Sequence, residues 1–250
     1  MFHLAAWGQT VQNANALTPI NAIQDQAITT QGVDVRVPLD LPFIVAEACL
    51  YNDASGARAE VQSPSLRAML NLDVEPIILG KIFGTIPESY VHADSPVPVV
   101  PNESLNFAVQ GAEAGAVIHY GFVMLADGPL PYVKGNIYTV RATSAVALAV
   151  NTWVNGNLTF AQVLPAGSYK VVGMRARGAN LAAARLVFPG SKYRPGVFAV
   201  NTVAQPDPLN QRYGYMGTFG QFDNTVPPTV DCLGDTDATQ FFDFDLIKVK

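Results

Sequence analysis

PNESLNFAVQGAEAGAVIHYGFVM (residues 101–124) and PAGSYKVVGMRARGANLAAARLVF (residues 165–188) align at a constant offset of 64 positions. In the first stretch Leu105, Phe107 and Val109 alternate with polar or small residues. Gly111 to Gly115 interrupts the pattern, and an apolar run resumes from Ala116 to Leu125. In the second, Tyr169, Val171 and Gly173 alternate, Gly178-Ala179-Asn180 interrupts, and Leu181 to Phe188 follows. A period of two, a glycine-bearing break and a return run describe two neighbouring strands with one buried face. Each stretch also opens on a proline-bearing turn. The repetition predicts two similar β-sandwiches in tandem.

Working outward, the same texture continues. Val33, Val35 and Val37 alternate with polar residues or proline, Phe43 to Tyr51 reads as a second strand, and Leu66 to Val74 as a third entered through Ser63-Pro64-Ser65. Pro76 to His92 is apolar but irregular, and Pro96, Pro98 and Pro101 enforce an extended connector unsuited to a sheet interior. Asp127-Gly128-Pro129-Leu130-Pro131 combines a turn dipeptide with two prolines and reads as the linker between halves. Beyond it come Ile137 to Thr143, Ala145 to Val150, and Asn155-Gly156 between apolar runs, which calls for a type I′ hairpin. A glycine–aromatic stretch, Tyr213 to Phe222, and an alternating strand, Phe241 to Ile247, close the chain. Long helical periodicity is absent, so the class is all-β with short helices only. The boundaries are an N-terminal arm at 1–31, a first sandwich at 32–128 and a second at 129–250.

Asp25 is the sole charged residue from 8 to 31. Within this segment Thr18 to Gln24 reads as a short helix, with Thr18 as N-cap and Pro19 at the first helical position. An uncharged arm bearing Trp7, Leu17, Ile20 and Ile23 is less solvated than typical disorder. These four residues are the expected anchors on a neighbouring subunit.

Charged residues make up 14% of the 250 positions against 49% hydrophobic, where an average soluble domain carries roughly 25% charge. So few charges imply large protein–protein contacts. The net charge is −5 and no basic tail exists, which argues against direct nucleic-acid binding. Arg175, Arg177 and Arg185 form the densest basic group, expected to pair with local acids; Arg175, Arg177 and Arg194 are candidates for an interface or inner face. Cys49, in a predicted strand, and Cys232, in a predicted loop, read as buried thiols. Residues 1–7 carry no basic leader, and no apolar run approaches the ~18 residues needed to span a membrane.

Chemistry is hard to place. His3, His92 and His119 form no ligand pair, and no nucleophile elbow or phosphate loop is present. Asp73 and Glu75 could share a strand face as paired carboxylates, but alternating acids near a strand end are more often solvated. Among the C-terminal acids Asp231, Asp235, Asp237, Asp243 and Asp245, the pair Asp235 and Asp237 is a weak Ca²⁺ candidate lacking the glycine and terminal glutamate of an EF-hand. No catalytic residue and no cofactor is assigned. Tyr213, Tyr215 and Phe219 could form a sugar-stacking platform, the basis of an alternative carbohydrate-binding reading.

Leu164-Pro165-Ala166-Gly167-x-Tyr169-x-Val171-Val172-Gly173-Met174-Arg175-Ala176, Arg185-Leu186-Val187-Phe188, Arg194-Pro195-Gly196 and Gly217-x-Phe219-Gly220-x-Phe222 resemble, in that order, capsid proteins of small tailless bacterial viruses. Pro64-Ser65-Leu66-Arg67 and Trp153 fit the same resemblance, which covers roughly residues 60 to 230. It implies a double jelly roll: two eight-stranded sandwiches side by side, with three chains forming a pseudo-hexagonal capsomer. It further implies a non-enzymatic major capsid subunit made in the host cytoplasm and built into an icosahedral virion. Its partners would be other copies of itself, other capsid or vertex proteins and an internal membrane surface. At 250 residues the chain is near the minimum for two complete jelly rolls.

Overall fold

Alternating apolar residues become strands throughout this computed structural model, which describes residues 1–11, 16–51, 56–68, 70–78, 90–111, 117–199, 209–235 and 239–249. The first half contributes β1 (Phe2–Val11), β2 (Thr18–Pro19), β3 (Thr30–Gln31), β4 (Asp34–Arg36), β5 (Phe43–Tyr51) and β6 (Gly56–Gln62). It continues through β7 (Leu72–Val74), β8 (Pro76–Ile78), β9 (Tyr90–Val91), β10 (Val97–Pro98), β11 (Ser104–Gly111) and β12 (Val117–Ala126). The second half contributes β13 (Tyr138–Ser144), β14 (Val154–Gly156), β15 (Thr159–Phe160), β16 (Ser168–Arg177) and β17 (Leu181–Val187). Its remaining strands are β18 (Gly196–Phe198), β19 (Gly220–Asp223), β20 (Thr229–Gly234) and β21 (Gln240–Lys248). One four-residue helix, α1 (Pro64–Arg67), interrupts the predicted Leu66–Val74 strand; Ser63 caps it by accepting from the Leu66 N–H at 3.1 Å.

These strands form four sheets. In the first half β1-β12-β5-β10 faces β3-β4-β11-β6-β7, and in the second β15-β13-β21-β16-β19 faces β14-β20-β17-β18. Among the described residues pairing is antiparallel except for β5 with β8. The first half's core draws Trp7, Cys49, Val123 and Leu125 from one sheet and Val35, Val61, Phe107 and Val109 from the other.

The two halves share one wiring. Counting β1, β4, β5, β6, β7, β10, β11 and β12 as first to eighth, the first strand lies beside the eighth, the eighth beside the third, and the third beside the sixth. The facing sheet runs second, seventh, fourth, fifth. Counting β13, β14, β16, β17, β18, β19, β20 and β21 gives the same order.

This corrects how the repeated stretches relate. β11 pairs with β2, β4 and β6, whereas β12 pairs with β1 and β5; β16 and β17 are divided between sheets in the same way. Each stretch therefore crosses from one sheet to the facing one instead of making a hairpin. The offset also joins the seventh and eighth strands of one half to the third and fourth of the other. Alternation reports a buried face and is blind to which sheet supplies it. The first glycine break, residues 112–115, lies outside the described residues, as do 79–89 of the irregular Pro76–His92 stretch.

The N-terminal segment also departs from expectation. β1 is a ten-residue strand paired along its length with β12, and no helix forms at Thr18 to Gln24. There, Ile20 N–H donates to Phe107 O at 2.9 Å, Ile23 N–H to Ala6 O at 2.9 Å, and Gly8 N–H to Asn21 O at 2.9 Å. The first bond ties the segment to β11; the other two place it along the outer edge of β1 and cover a strand edge that would otherwise stand open. Asn155-Gly156 lies within β14 and not at a hairpin tip. A Cβ at Gly156 would come within 2.2 Å of Val146, so the glycine serves close packing. Cys232 sits in β20, and both cysteines are buried thiols outside any disulfide.

The β1–β12–β5 sheet is buried on both faces, which explains the continuous apolar runs of β5 and β12. Its outer face packs against the second half: Phe122 meets Phe198 at 5.9 Å between centroids, and Tyr120 donates to Gly234 O at 2.9 Å. On the inner side, a Cβ at Gly121 would sit 2.3 Å from the fully buried Phe107 ring. Gly121→Ala is therefore expected to cost about 1–3 kcal/mol through overpacking, read as a lower urea midpoint; an unchanged midpoint would contradict this packing.

Candidate functional site

Where the halves meet, five polar side chains converge in the apolar junction. His3 comes from β1, Asp25 from the β2–β3 connection, Arg185 from β17, Arg194 from the β17–β18 connection and Asp231 from β20. Arg185 lies fully buried with its guanidinium 4.1 Å over the Trp153 ring. It ion-pairs with Asp25, donates from Nε to Asp231 at 3.0 Å and from Nη1 to Leu4 O at 3.2 Å. Arg194 donates to Asp231 at 2.6 Å and to Gln26 at 2.7 Å, and Asn155 donates to the other Asp231 oxygen at 2.8 Å. Two arginines thus meet two aspartates, as desolvated charges require.

His3 completes the junction. Its Nδ1 accepts the Arg194 N–H at 3.1 Å, which leaves Nε2 to donate to Asp25 at 3.1 Å. Burial, reinforced by the nearby arginines, holds its pKa below the ordinary histidine value, so the ring is neutral. Burial alone would raise the Asp25 pKa. The His3 hydrogen bond, Arg185 and the Ala27 N–H together hold that carboxyl well below the usual range. A groove of about 490 Å³ opens beside the network between Gln26, Trp153, Asn155, Arg194 and Thr229. Its charges are already matched, and what the arrangement accomplishes is to fasten one half to the other.

A second buried pair fixes the segment after the 3-10 turn Leu209–Gln211. Arg212 grips Asp245 with two bonds of 2.7 and 2.9 Å, while Tyr213 N–H and the Thr139 hydroxyl donate to the same carboxylate at 2.9 and 2.8 Å. Elsewhere Glu47, on β5, is only 4% exposed and lies 3.5 Å from His92 Nε2. Burial pushes the Glu47 pKa up to about 8 and that of His92 down, so both are neutral at pH 7.

The structure scatters the residues singled out from sequence. Trp7, Ile20 and Ile23 are buried in the chain's own core and Leu17 is half-buried. Trp7 donates to Val33 O at 2.9 Å. These side chains hold the N-terminal segment to its own half, so the expected free arm anchors are not presented to a neighbour. Arg177 pairs with Asp243 at 3.3 Å, Arg175 shares the same sheet face, and Arg194 belongs to the junction. Phe219 is buried against Phe2, while Tyr215 is exposed and meets Tyr132 at 5.2 Å. Asp231, Asp243 and Asp245 are all taken up by arginines. Asp237 lies outside the described residues, and among the described residues no group of three or more His, Cys, Asp or Glu side chains is placed to hold a metal. Asp73 is exposed and pairs with Arg58, and Glu75 is exposed.

Sequence reasoning missed the junction. Arg185 was legible as a basic residue, but its partner Asp25 is 160 positions away and nothing in the chain announces the pairing. The lone charge of residues 8–31 was the available signal. A cavity of about 720 Å³ also opens at the end of the second sandwich, lined by Tyr138, Val140, Leu164, Tyr169 and Leu246. No helix among the described residues is long and apolar enough to cross a membrane. No protein-family model, curated protein or solved structure matches the chain.

Proposed function

We propose that this chain is a viral capsid subunit of the double jelly-roll class, which self-assembles as trimers with six-sided outlines and performs no chemical step. The observation that carries the reading is the shared wiring: two successive eight-strand sets, each with the same order in both facing sheets. That order has the Greek-key connectivity of a jelly roll, a fold common among capsid proteins. The halves lie against each other through an apolar, ion-paired junction, as the double unit of a capsomer would require. Exposed apolar side chains, including Leu39 (72%), Val163 (95%) and Phe241 (48%), supply surface for contacts between copies. The sparse charge fits the same role. The partners proposed are further copies, other capsid or vertex proteins and the surface of an internal membrane.

The test is the solution mass of the purified chain by light scattering across a concentration series. The expected result is a species of three chains, each 26.7 kDa. A 26.7 kDa monomer throughout would overturn self-assembly and favour glycan binding at exposed aromatics such as Tyr132 and Tyr215.

A further inference from the structure

Fastening the halves leaves a groove of about 490 Å³ open beside the junction, a size usual for small-molecule sites. Its walls come from both halves. Gln24 and Gln26 lie on the β2–β3 connection, Trp153 and Asn155 at the start of β14, Arg194 before β18 and Thr229 on β20. The lining is polar, yet its charges cancel within the protein. Asp231 takes both Arg185 and Arg194, and Asp25 takes Arg185 as well. An ionic ligand would have to break one of these desolvated pairs, whereas an uncharged, hydroxyl-rich ligand would leave them intact.

The same network orients the uncharged groups. Arg194 donates to Gln26 Oε1 at 2.7 Å, which leaves the Gln26 Nε2 as a donor. Asn155 donates from Nδ2 to Thr229 Oγ1 at 3.0 Å and to Asp231 at 2.8 Å, which leaves its Oδ1 as an acceptor. Gln24, exposed, adds a further amide. Trp153 is half-buried and held by the Arg185 guanidinium, 4.1 Å over its ring. Gln26, Asn155 and Trp153 are thus each fixed by a member of the buried ion network, so the site is formed before a ligand arrives.

We propose that this groove binds an uncharged saccharide, with one sugar ring against Trp153 and its hydroxyls on Gln26 and Asn155. Each sugar hydroxyl both donates and accepts, so neighbouring hydroxyls suit a fixed donor and a fixed acceptor on one groove. The apolar C–H face of the ring suits the amphipathic indole. The binding does not rest on self-assembly, and a monomeric chain would show it equally.

The chain has two tryptophans, and Trp7 is fully buried, so a change in tryptophan fluorescence on adding sugar reports Trp153. The experiment titrates the full-length chain with glucose, galactose, mannose and N-acetylglucosamine, each against glycerol at equal concentration. At least one sugar is expected to shift the emission saturably while glycerol leaves it unchanged. Gln24→Leu and Gln26→Leu change exposed positions, and circular dichroism melting verifies that both variants fold. Each is expected to weaken that sugar roughly three- to tenfold, the effect of one lost hydrogen bond. No saturable shift with any of these sugars, or an equal shift with glycerol, would overturn the proposal. Binding seen by calorimetry that leaves the emission and both variants unaffected would also overturn it, since the sugar would then sit elsewhere, as at Tyr132 and Tyr215.

Discussion

Asp231→Ala is expected to destabilise the chain by about 3–5 kcal/mol, the usual cost of removing one partner from a buried ion network. Asp231 is 3% exposed and accepts from Arg185, Arg194 and Asn155 at 3.0, 2.6 and 2.8 Å. Its loss leaves Arg185 paired with Asp25 alone and the Arg194 charge uncompensated beside an apolar junction. Urea denaturation followed by tryptophan fluorescence should show the loss directly, since Trp153 stacks on Arg185. By contrast, truncating the exposed Asp73 should change stability by only ~0–1 kcal/mol. Equal effects at the two positions would contradict the junction as the main fastening.

The same network makes the chain acid-labile. The pKa values of His3 and Asp25 are both lowered in the folded state. Their contributions are therefore present above the unfolded values, 6.5 and 3.8, and are lost as pH falls through the folded ones.

Glu47→Gln is expected to stabilise the chain at neutral pH by on the order of 3 kcal/mol. The Glu47 carboxyl titrates at 4.5 when unfolded and at about 8 when folded. Between these values the folded state binds a proton that the unfolded state has released, so stability falls as pH rises through this window. Glutamine keeps the shape without that penalty. A series of melts from pH 5 to pH 8 should show the natural chain losing stability towards pH 8 relative to the variant. Parallel curves would show that Glu47 is not held in its neutral form.

Part of this molecule could be read from its letters. Ser104 to Gly111, Ser168 to Arg177 and Gln240 to Lys248 announce themselves as strands by alternation, and Phe43 to Tyr51 by a short, mostly apolar run. Pairing was not legible. Leu105-x-Phe107-x-Val109 shows that one face is buried, but β6 and β12 would satisfy it equally, and only the three-dimensional wiring chooses β6. Thr18-Pro19 carries a helix-start signal that lost to the open edge of β1, where Ile23 and Asn21 find backbone partners. From sequence the shortage of charge points to contacts between chains. Much of it belongs to β5, β12 and β17, which are buried on both faces inside a single copy. The junction stayed hidden because sequence cannot show that Asp25 and Arg185 meet.

Class averages of the purified oligomer by electron cryomicroscopy test the central claim most directly. The account predicts six lobes of similar size around a threefold axis, two from each chain. Three lobes, or isolated particles holding a single pair, would contradict it.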